Sequence, residues 1–251
     1  MPPPSGPSWA LNGWIDGFVA AGRYHEALAL PEHFVLRGSR DTASELLVQI
    51  NLAEAEYNLG LWEDAWDRLR DLDPLAAAFP IARAGLAQQR AWIAAHTGRP
   101  EEALHFWRRA ELDDLPRNYH AEHFFTGAVA SIGVGRHDGA RRCALAGAAT
   151  AMRPSSKRNS FFIRARVAAA MGDFARAESL CREAAAHPYR AQGGDGLLLW
   201  GDVLIRLERP GEAGQAYTLA IDRDPQSESA RLATERLREK AACPAHAARE
   251  Q

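Results

Sequence analysis

The segment GRPEEA at residues 98–103 combines the end of one helix with the start of the next. Glycine adopts the left-handed conformation that closes a helix without steric cost. Proline two positions later suits the first turn of a helix, where its missing N–H is not needed. The two glutamates that follow favour the positive end of the helix dipole. The segment therefore predicts a tight turn between two helices.

Five further segments repeat this pattern, at residues 22–27, 60–65, 135–140, 172–177 and 208–213. With residues 98–103 included, successive segments begin 38, 38, 37, 37 and 36 positions apart. Glycine begins each segment except the last, which begins with Glu208, and alanine ends all six. A residue that stays small at the same step of every unit indicates that two helices approach closely there. Repetition at this period is typical of a solenoid of helical hairpins.

The predicted fold is all-α, an α-solenoid of about six helical hairpins with a C-terminal capping helix. No window alternates apolar and polar residues between hairpin turns, so strands are not expected. The predicted units lie near residues 9–38, 46–74, 84–116, 121–153, 158–188 and 194–225, and the cap is residues 226–240. Residues 1–8 are predicted to be a disordered proline-rich tail, and residues 241–251 a flexible one.

The repeated pattern resembles the tetratricopeptide repeat (TPR) family, whose unit has Trp-x2-Leu-Gly-x2-Tyr in its first helix and Ala-x3-Phe-x2-Ala in its second. The last unit is most similar, with Trp200 and Gly201 in its first helix and Ala213, Tyr217 and Ala220 in its second. The resemblance covers residues 9–240 and implies a right-handed superhelix. The units exceed the family's 34 residues, and we expect the additional residues in inter-repeat loops. The alanine- and arginine-rich composition is typical of a GC-rich bacterial genome.

The family resemblance also implies a binding surface, because the first helix of each TPR unit lines a concave groove. Transferring the groove positions to this sequence gives Trp9, Asn12, Asp16, Ile50, Glu54, Tyr57, Gln88, Trp92, Ala95, His96, Glu122, Phe125, Val129, Ile132, Asn159, Phe162, Arg166, Asp195, Leu198, Asp202 and Arg206. The predicted peptide-binding site consists of ten of them: Glu54, Tyr57, Gln88, Trp92, His96, Phe125, Asn159, Phe162, Arg166 and Asp202.

Aromatic anchors among polar side chains suit an extended or helical peptide, whose backbone the polar groups satisfy. An alternative remains for Tyr57, Phe125 and Phe162, because an alignment error of one residue would place them in the core between repeats. The groove positions contain no lysine, which argues against a lysine clamp for a partner's C-terminal carboxylate.

Two other patterns in the sequence are candidate sites. The basic segment 153–159, continued by Arg164 and Arg166, could bind an acidic peptide or a phosphate. An ordinary solvated loop before a helix is the favoured interpretation, since the other basic residues are dispersed. His120 and His123 lie three apart on one predicted helix face, but a third metal ligand at fixed spacing is missing. No metal and no cofactor are therefore predicted.

Composition and motifs exclude several classes of function. The 251 residues carry a net charge of −2, without the basic excess that nucleic acids or anionic membranes require. The sequence lacks GxxxxGK(S/T), GxSxG, HExxH and GxGxxG motifs, so no enzyme activity is predicted. Three cysteines without a CxxC pair, and no secretory signal, indicate the cytoplasm.

The sequence thus predicts a non-catalytic cytoplasmic scaffold or adaptor that binds a peptide segment of another protein in its groove. Nucleic acid and membrane partners are not expected, and self-association into a homo-oligomer is left open. Two alternatives remain: a regulator that senses a ligand or peptide, and an accessory subunit of an enzyme complex, which only the His120/His123 pair would support.

Overall fold

The computed structural model describes residues 5–36, 41–189 and 193–242, and the chain there is almost entirely helical. The elements in chain order are β1 (Ser5–Gly6), α1 (Ser8–Ala20), α2 (Tyr24–His33), β2 (Val35–Leu36), α3 (Thr42–Asn58), α4 (Trp62–Arg70), α5 (Asp73–Ala76), α6 (Pro80–His96), α7 (Pro100–Arg109), α8 (His120–Gly133), α9 (His137–Thr150), α10 (Pro154–Ala170), α11 (Phe174–Ala186), α12 (Gly194–Arg206), α13 (Pro210–Arg223) and α14 (Glu228–Ala242). Two 3-10 turns, Leu112–Asp114 and Arg117–Tyr119, precede α8.

These elements confirm the predicted all-α solenoid. Six hairpins are formed by α1 with α2, α3 with α4, α6 with α7, α8 with α9, α10 with α11, and α12 with α13, and α14 packs on the last of them. The two short strands pair in parallel through Ser5 with Val35 and Gly6 with Leu36. None of the helices in the described part of the chain is long and apolar enough to cross a membrane.

The six turns inside the hairpins share one backbone conformation. The first residue of each repeated segment has a positive φ, between 71° and 83° at the five glycines and 58° at Glu208. In each turn the next amide donates to a carbonyl five residues earlier, as Arg99 does to Ala94 at 2.9 Å and Arg209 to Leu204 at 2.9 Å. Glu208 therefore closes its helix in the same way as the glycines, although its side chain disfavours this conformation.

The alanines that end the repeated segments lie where the helices of each hairpin meet. All six are fully buried, with an exposed fraction of 0%: Ala27, Ala65, Ala103, Ala140, Ala177 and Ala213. This burial explains why the residue at that step is small in every unit.

The additional residues of each unit do not all lie in loops, which corrects the expectation above. Helices α3, α6 and α10 are each 17 residues long and begin four residues before the predicted unit boundaries at 46, 84 and 158. The Asp41 side chain accepts hydrogen bonds from the amides of Ala43 and Ser44 and so starts α3 early. Pro80 and Pro154 begin the other two helices, where proline is favoured.

The predicted N-terminal tail is partly ordered, because Ser5 and Gly6 form β1 and Ser8 begins α1. Residues 1–4 and 243–251, which make up the rest of the two predicted tails, lie outside the described residues. The predicted cap at 226–240 corresponds to α14, which extends to Ala242.

The first helices of the hairpins lie side by side, with α1, α3, α6, α8, α10 and α12 each in contact with the next. They form the inner, concave layer of the solenoid. The solenoid also closes on itself, because the chain around Asp224 and Glu228 contacts the turns of the first two hairpins. The Tyr24 hydroxyl donates to Asp224 Oδ2 at 3.0 Å, and Trp62 Nε1 donates to Glu228 Oε2 at 2.8 Å. We call this closing contact the seam and the concave space inside it the channel.

Candidate functional site

A run of adjacent rings, which we call the aromatic ladder, lies at the concave side of the second and third hairpins, with the first three rings stacked and the last one tilted. It consists of Tyr57, Trp62, His96 and Trp92, in that order. The ring centroids are 5.6 Å apart for Tyr57 and Trp62, 5.5 Å for Trp62 and His96, and 4.3 Å for His96 and Trp92. All four side chains are half-buried. Such rings combine a large apolar area with polar N–H and O–H groups at their edges.

His96 connects the ladder to a charged group from the fifth hairpin. Its Nδ1 lies 2.9 Å from the Trp92 carbonyl, and its Nε2 lies 3.3 Å from Arg166 Nη1. Since a carbonyl only accepts, Nδ1 carries the proton and Nε2 accepts from the guanidinium. Burial and the charge of Arg166 lower the pKa of His96 to about 4. The imidazole is therefore neutral near physiological pH, and Arg166, which lies 3.9 Å from Asp195, provides the positive charge at this point.

Glu54 forms the acidic side of the same region. Its carboxylate accepts a hydrogen bond from Gln89 Nε2 at 3.1 Å. Burial and the negative charge of Asp16 raise the pKa of Glu54 to about 7, against the opposing effects of Gln89 and Arg153. Burial and the neighbouring Glu54 charge also raise the pKa of Tyr57 well above its ordinary value. Asp16 of the first hairpin, Gln89 of the third and Glu122 of the fourth all act on this one carboxyl group.

Arg153 and Glu122 form a further polar pair on the concave side. Arg153 Nη2 lies 2.6 Å from Glu122 Oε1, which also accepts a hydrogen bond from Ser156 at 2.6 Å. The Arg153 guanidinium lies 4.6 Å above the ring of Tyr119. The basic segment 153–159 is thus the first turn of α10 and not a loop. Its arginines make intramolecular contacts, so the interpretation as a solvated loop is wrong for this segment.

Five of the ten predicted site residues come together in the channel. Glu54 and Tyr57 lie on α3, Trp92 and His96 on α6, and Arg166 on α10. The contacts described above link Tyr57, Trp92, His96 and Arg166 directly or through Trp62, and Glu54 acts on Tyr57 electrostatically.

Phe125 and Phe162 do not line the channel, which corrects that part of the prediction. Phe125 is 4% exposed and Phe162 is 6% exposed, and both belong to apolar clusters between hairpins. Each ring lies against a glycine of a neighbouring helix: a Cβ at Gly147 would be 2.5 Å from the Phe125 ring, and one at Gly196 2.2 Å from the Phe162 ring. Both residues therefore lie in the core between repeats, which is the alternative given above for them.

The other three predicted residues, Gln88, Asn159 and Asp202, take no part in the ring contacts of the ladder. Gln88 is half-buried, and its Oε1 is buried without a hydrogen-bond partner. Asn159 Oδ1 accepts a hydrogen bond from the neighbouring Arg158 at 2.8 Å. Asp202 contacts the end of the solenoid, where it accepts from the Tyr217 hydroxyl at 2.8 Å and from Arg236 at 3.4 Å.

Sequence reasoning missed two residues of the channel, Gln89 and Trp62. Gln89 could have been found from its spacing, because positions 89, 92 and 96 fall on one helix face at steps of three and four. Trp62 begins the second helix of its hairpin and reaches the inner layer through its ring, which the repeat pattern does not indicate. Asp16, Glu122 and Asp195 were transferred as groove positions but left out of the predicted site, and all three affect groups in the channel.

The histidine pair on α8 is used structurally. The His123 ring is buried against Trp107, with centroids 5.3 Å apart, and burial lowers its pKa to about 4. His120 Nε2 lies 3.1 Å from the Leu115 carbonyl. Within the described ranges, no three His, Cys, Asp or Glu residues are arranged to hold a metal ion.

The repeated hairpins define the class of the molecule, an α-solenoid whose first helices form an inner layer. No protein-family model and no curated protein matches the sequence. Among solved structures, a tetratricopeptide repeat protein from Parabacteroides merdae is similar with a TM-score of 0.61 and 16% identity, over 92% of this chain and 83% of that one. PilW, described as a widely conserved type IV pilus biogenesis factor, is similar with a TM-score of 0.54 and 16% identity, over 90% of this chain and 97% of that one. The chain therefore has the tetratricopeptide-repeat fold.

Proposed function

We propose that the protein is a non-catalytic scaffold that holds a peptide segment of a partner protein in the channel. The observation that carries this proposal is the aromatic ladder. Its half-buried rings lie inside a concave surface, where a bound segment would cover them from a second side. Aromatic anchors in such positions dominate binding energy at protein interfaces.

Charged groups on both sides of the ladder would orient the bound segment. Glu54 and Asp16 lie toward the first two hairpins, whereas Arg166 lies toward the fifth. A segment with groups of opposite sign at its two ends would be held in one direction. Because the solenoid forms the channel before binding, mainly the ligand would lose conformational freedom.

The partner is proposed to be a protein in a reducing compartment, consistent with a cytoplasmic location. The free thiols of Cys143 and Cys181 support this, since paired cysteines dominate in oxidising compartments. The net charge of −2 gives no support for nucleic acid or an anionic membrane surface as partner.

The proposal is tested by affinity capture from a lysate of cells that naturally produce the protein. The channel variant Glu54→Gln/Arg166→Ala should retain at least about tenfold less of a specific partner than the wild type, because the acidic and the basic group that orient the segment are both removed. The matched control, Arg182→Ala/Glu183→Gln, makes the same two changes at exposed positions of the outer helix α11. Equal capture by the channel variant and wild type would contradict the proposal, as would the absence of any specific partner.

A further inference from the structure

The seam is a polar interface. One side consists of Tyr24 and Trp62, at the first residues of α2 and α4. The other consists of Asp224, directly after α13, and Glu228, the first residue of α14. The two side-chain hydrogen bonds that join them span 200 and 166 residues of sequence. Water replaces hydrogen bonds of this kind once they open, so each contributes only part of its gross strength to net stability.

The other interfaces of the solenoid are apolar. Five clusters of buried apolar side chains connect neighbouring hairpins along the described chain, and none of them extends from the first two hairpins to α13 or α14. At the seam, Leu59 and Leu61 on one side and Ile221 and Pro225 on the other line a cavity of about 330 Å³. Apolar side chains are therefore present at the seam without closing into a core.

Asp224 weakens the seam further. Its side chain is 4% exposed, and only Oδ2 has a hydrogen-bond partner, while Oδ1 is buried without one. The charged and titratable groups that face it are Tyr24, Asp195 and Arg158. A buried carboxylate with unused acceptor capacity loses more hydration than it regains in contacts. Closure of the seam is thus stabilised less than its buried area would suggest.

We propose that the seam is a clasp that opens while the six hairpins stay folded. In the open state the Asp224–Glu228 region separates from the turns of the first two hairpins. The two ends of the solenoid are then no longer in contact. Opening breaks two hydrogen bonds and no apolar cluster, so it requires far less free energy than separating two neighbouring hairpins. The clasp does not depend on the proposed function.

Trp62 couples the clasp to the channel. The same indole donates to Glu228 and stacks between Tyr57 and His96. When the seam opens, the indole loses its acceptor and is held within the ladder by stacking alone. The open state would therefore expose the ladder along one side of the channel.

The clasp is tested by pulsed electron–electron spin resonance between labels on either side of the seam. Ketone-bearing unnatural amino acids at the exposed positions Glu63 and Arg238 carry the labels and leave the cysteines untouched. In wild type we expect a single short distance between the two labels. In Tyr24→Phe/Trp62→Phe, which removes both donors, a longer distance should appear with unchanged helical circular dichroism.

The matched control places the same labels at Arg182 and Glu212, exposed residues on the outer helices of the fifth and sixth hairpins. That distance should be the same in wild type and in the double variant. An unchanged distance across the seam would overturn the proposal. A change at both label pairs, or a loss of helicity, would overturn it too, because the seam would then belong to the common core.

A disulfide lock gives a second, independent test. A Cβ at Gly60 would lie 3.3 Å from Glu228 Cβ, near the separation found in disulfides. Reduced Gly60→Cys/Glu228→Cys lacks the acceptor for Trp62 and should show the longer distance. Oxidation should remove that distance, and reduction should restore it. If the longer distance persisted in the oxidised protein, a movement other than opening of the seam would cause it, and the clasp proposal would be overturned.

Discussion

The joint between the fifth and sixth hairpins and the seam both connect helices of this solenoid, but by different physical means. At the joint, the Phe162 ring lies directly on Gly196, within an apolar cluster that includes the fully buried Ala177. At the seam, Tyr24 meets the buried carboxylate of Asp224 through one hydrogen bond. The joint excludes water by packing, whereas the seam depends on polar groups that water can also satisfy.

The difference reflects how each interface arises in the sequence. Ala177 occupies a position that recurs in all six units, so every hairpin has an equivalent contact. The seam residues are unique, and they meet only because the solenoid completes a turn. Because the joints are rigid and the seam is weak, the solenoid can open at the seam without unfolding any repeat.

The largest effect is expected in the apolar cluster that the fifth and sixth hairpins share. Ala177→Leu places a large side chain where the exposed fraction is 0%, so it should lower the free energy of unfolding by about 3 kcal/mol through overpacking. Ala175→Leu, at an exposed position of the same helix, is the control and should change stability by less than about 0.5 kcal/mol. Urea denaturation measures both. Equal stability of the two variants would mean that the repeat alignment is wrong.

An intermediate effect with a distinct pH dependence is expected at the seam. Burial raises the pKa of Asp224 from 3.8 to about 6, so the native state favours the protonated form. The stability that the native state gains from the protonated Asp224 is fully present below about pH 4 and is lost as the pH rises through about 6. Asp224→Asn cannot ionise and should therefore be more stable than wild type by about 2 kcal/mol at pH 7, with the difference shrinking toward pH 4.

Thermal unfolding at several pH values measures the effect of Asp224→Asn. Asp222→Asn, at an exposed position two residues earlier, is the control and should leave the pH profile of wild type unchanged. A profile of Asp224→Asn that runs parallel to that of wild type would show that the seam does not bury this carboxylate.

The smallest effect is expected at the hairpin turns. Gly172 has a φ of 81°, and a Cβ there would meet no atom within 4 Å, so Gly172→Ala should cost about 1 kcal/mol through the backbone conformation alone. Glu208→Gly should instead raise the free energy of unfolding, by about 0.5 kcal/mol, because glycine adopts the positive φ without steric cost. The gain is small because glycine is also more flexible in the unfolded chain.

Glu208→Ala is the control for the turns, since it removes the side chain while the positive φ remains. It should therefore leave stability close to that of wild type. Differential scanning calorimetry can measure all three turn variants. A gain from Glu208→Ala as large as that from Glu208→Gly would assign the cost to the glutamate side chain and not to the backbone.

The candidate site was only partly predictable from the sequence. Trp92 and His96 were predicted from the helical period of an inner helix, and the structure places their ring centroids 4.3 Å apart. Gln89, the residue after the predicted Gln88, is the one that contacts Glu54, and one residue corresponds to a rotation of about 100° around the helix. Phe125 and Phe162 were misplaced because their environment depends on Gly147 and Gly196 in neighbouring helices, which no pattern within one helix contains.

By itself, the sequence determined the hairpins, their number and the close contact at each repeated alanine. These features depend on local backbone preference and on spacing that recurs within each unit, so they can be recognised without coordinates. Only the tertiary structure decided where the solenoid closes, that Trp62 joins the seam to the ladder, and which acids face the channel. These features depend on small rotations between successive hairpins, which accumulate over the whole chain and bring together residues as distant as Tyr24 and Asp224.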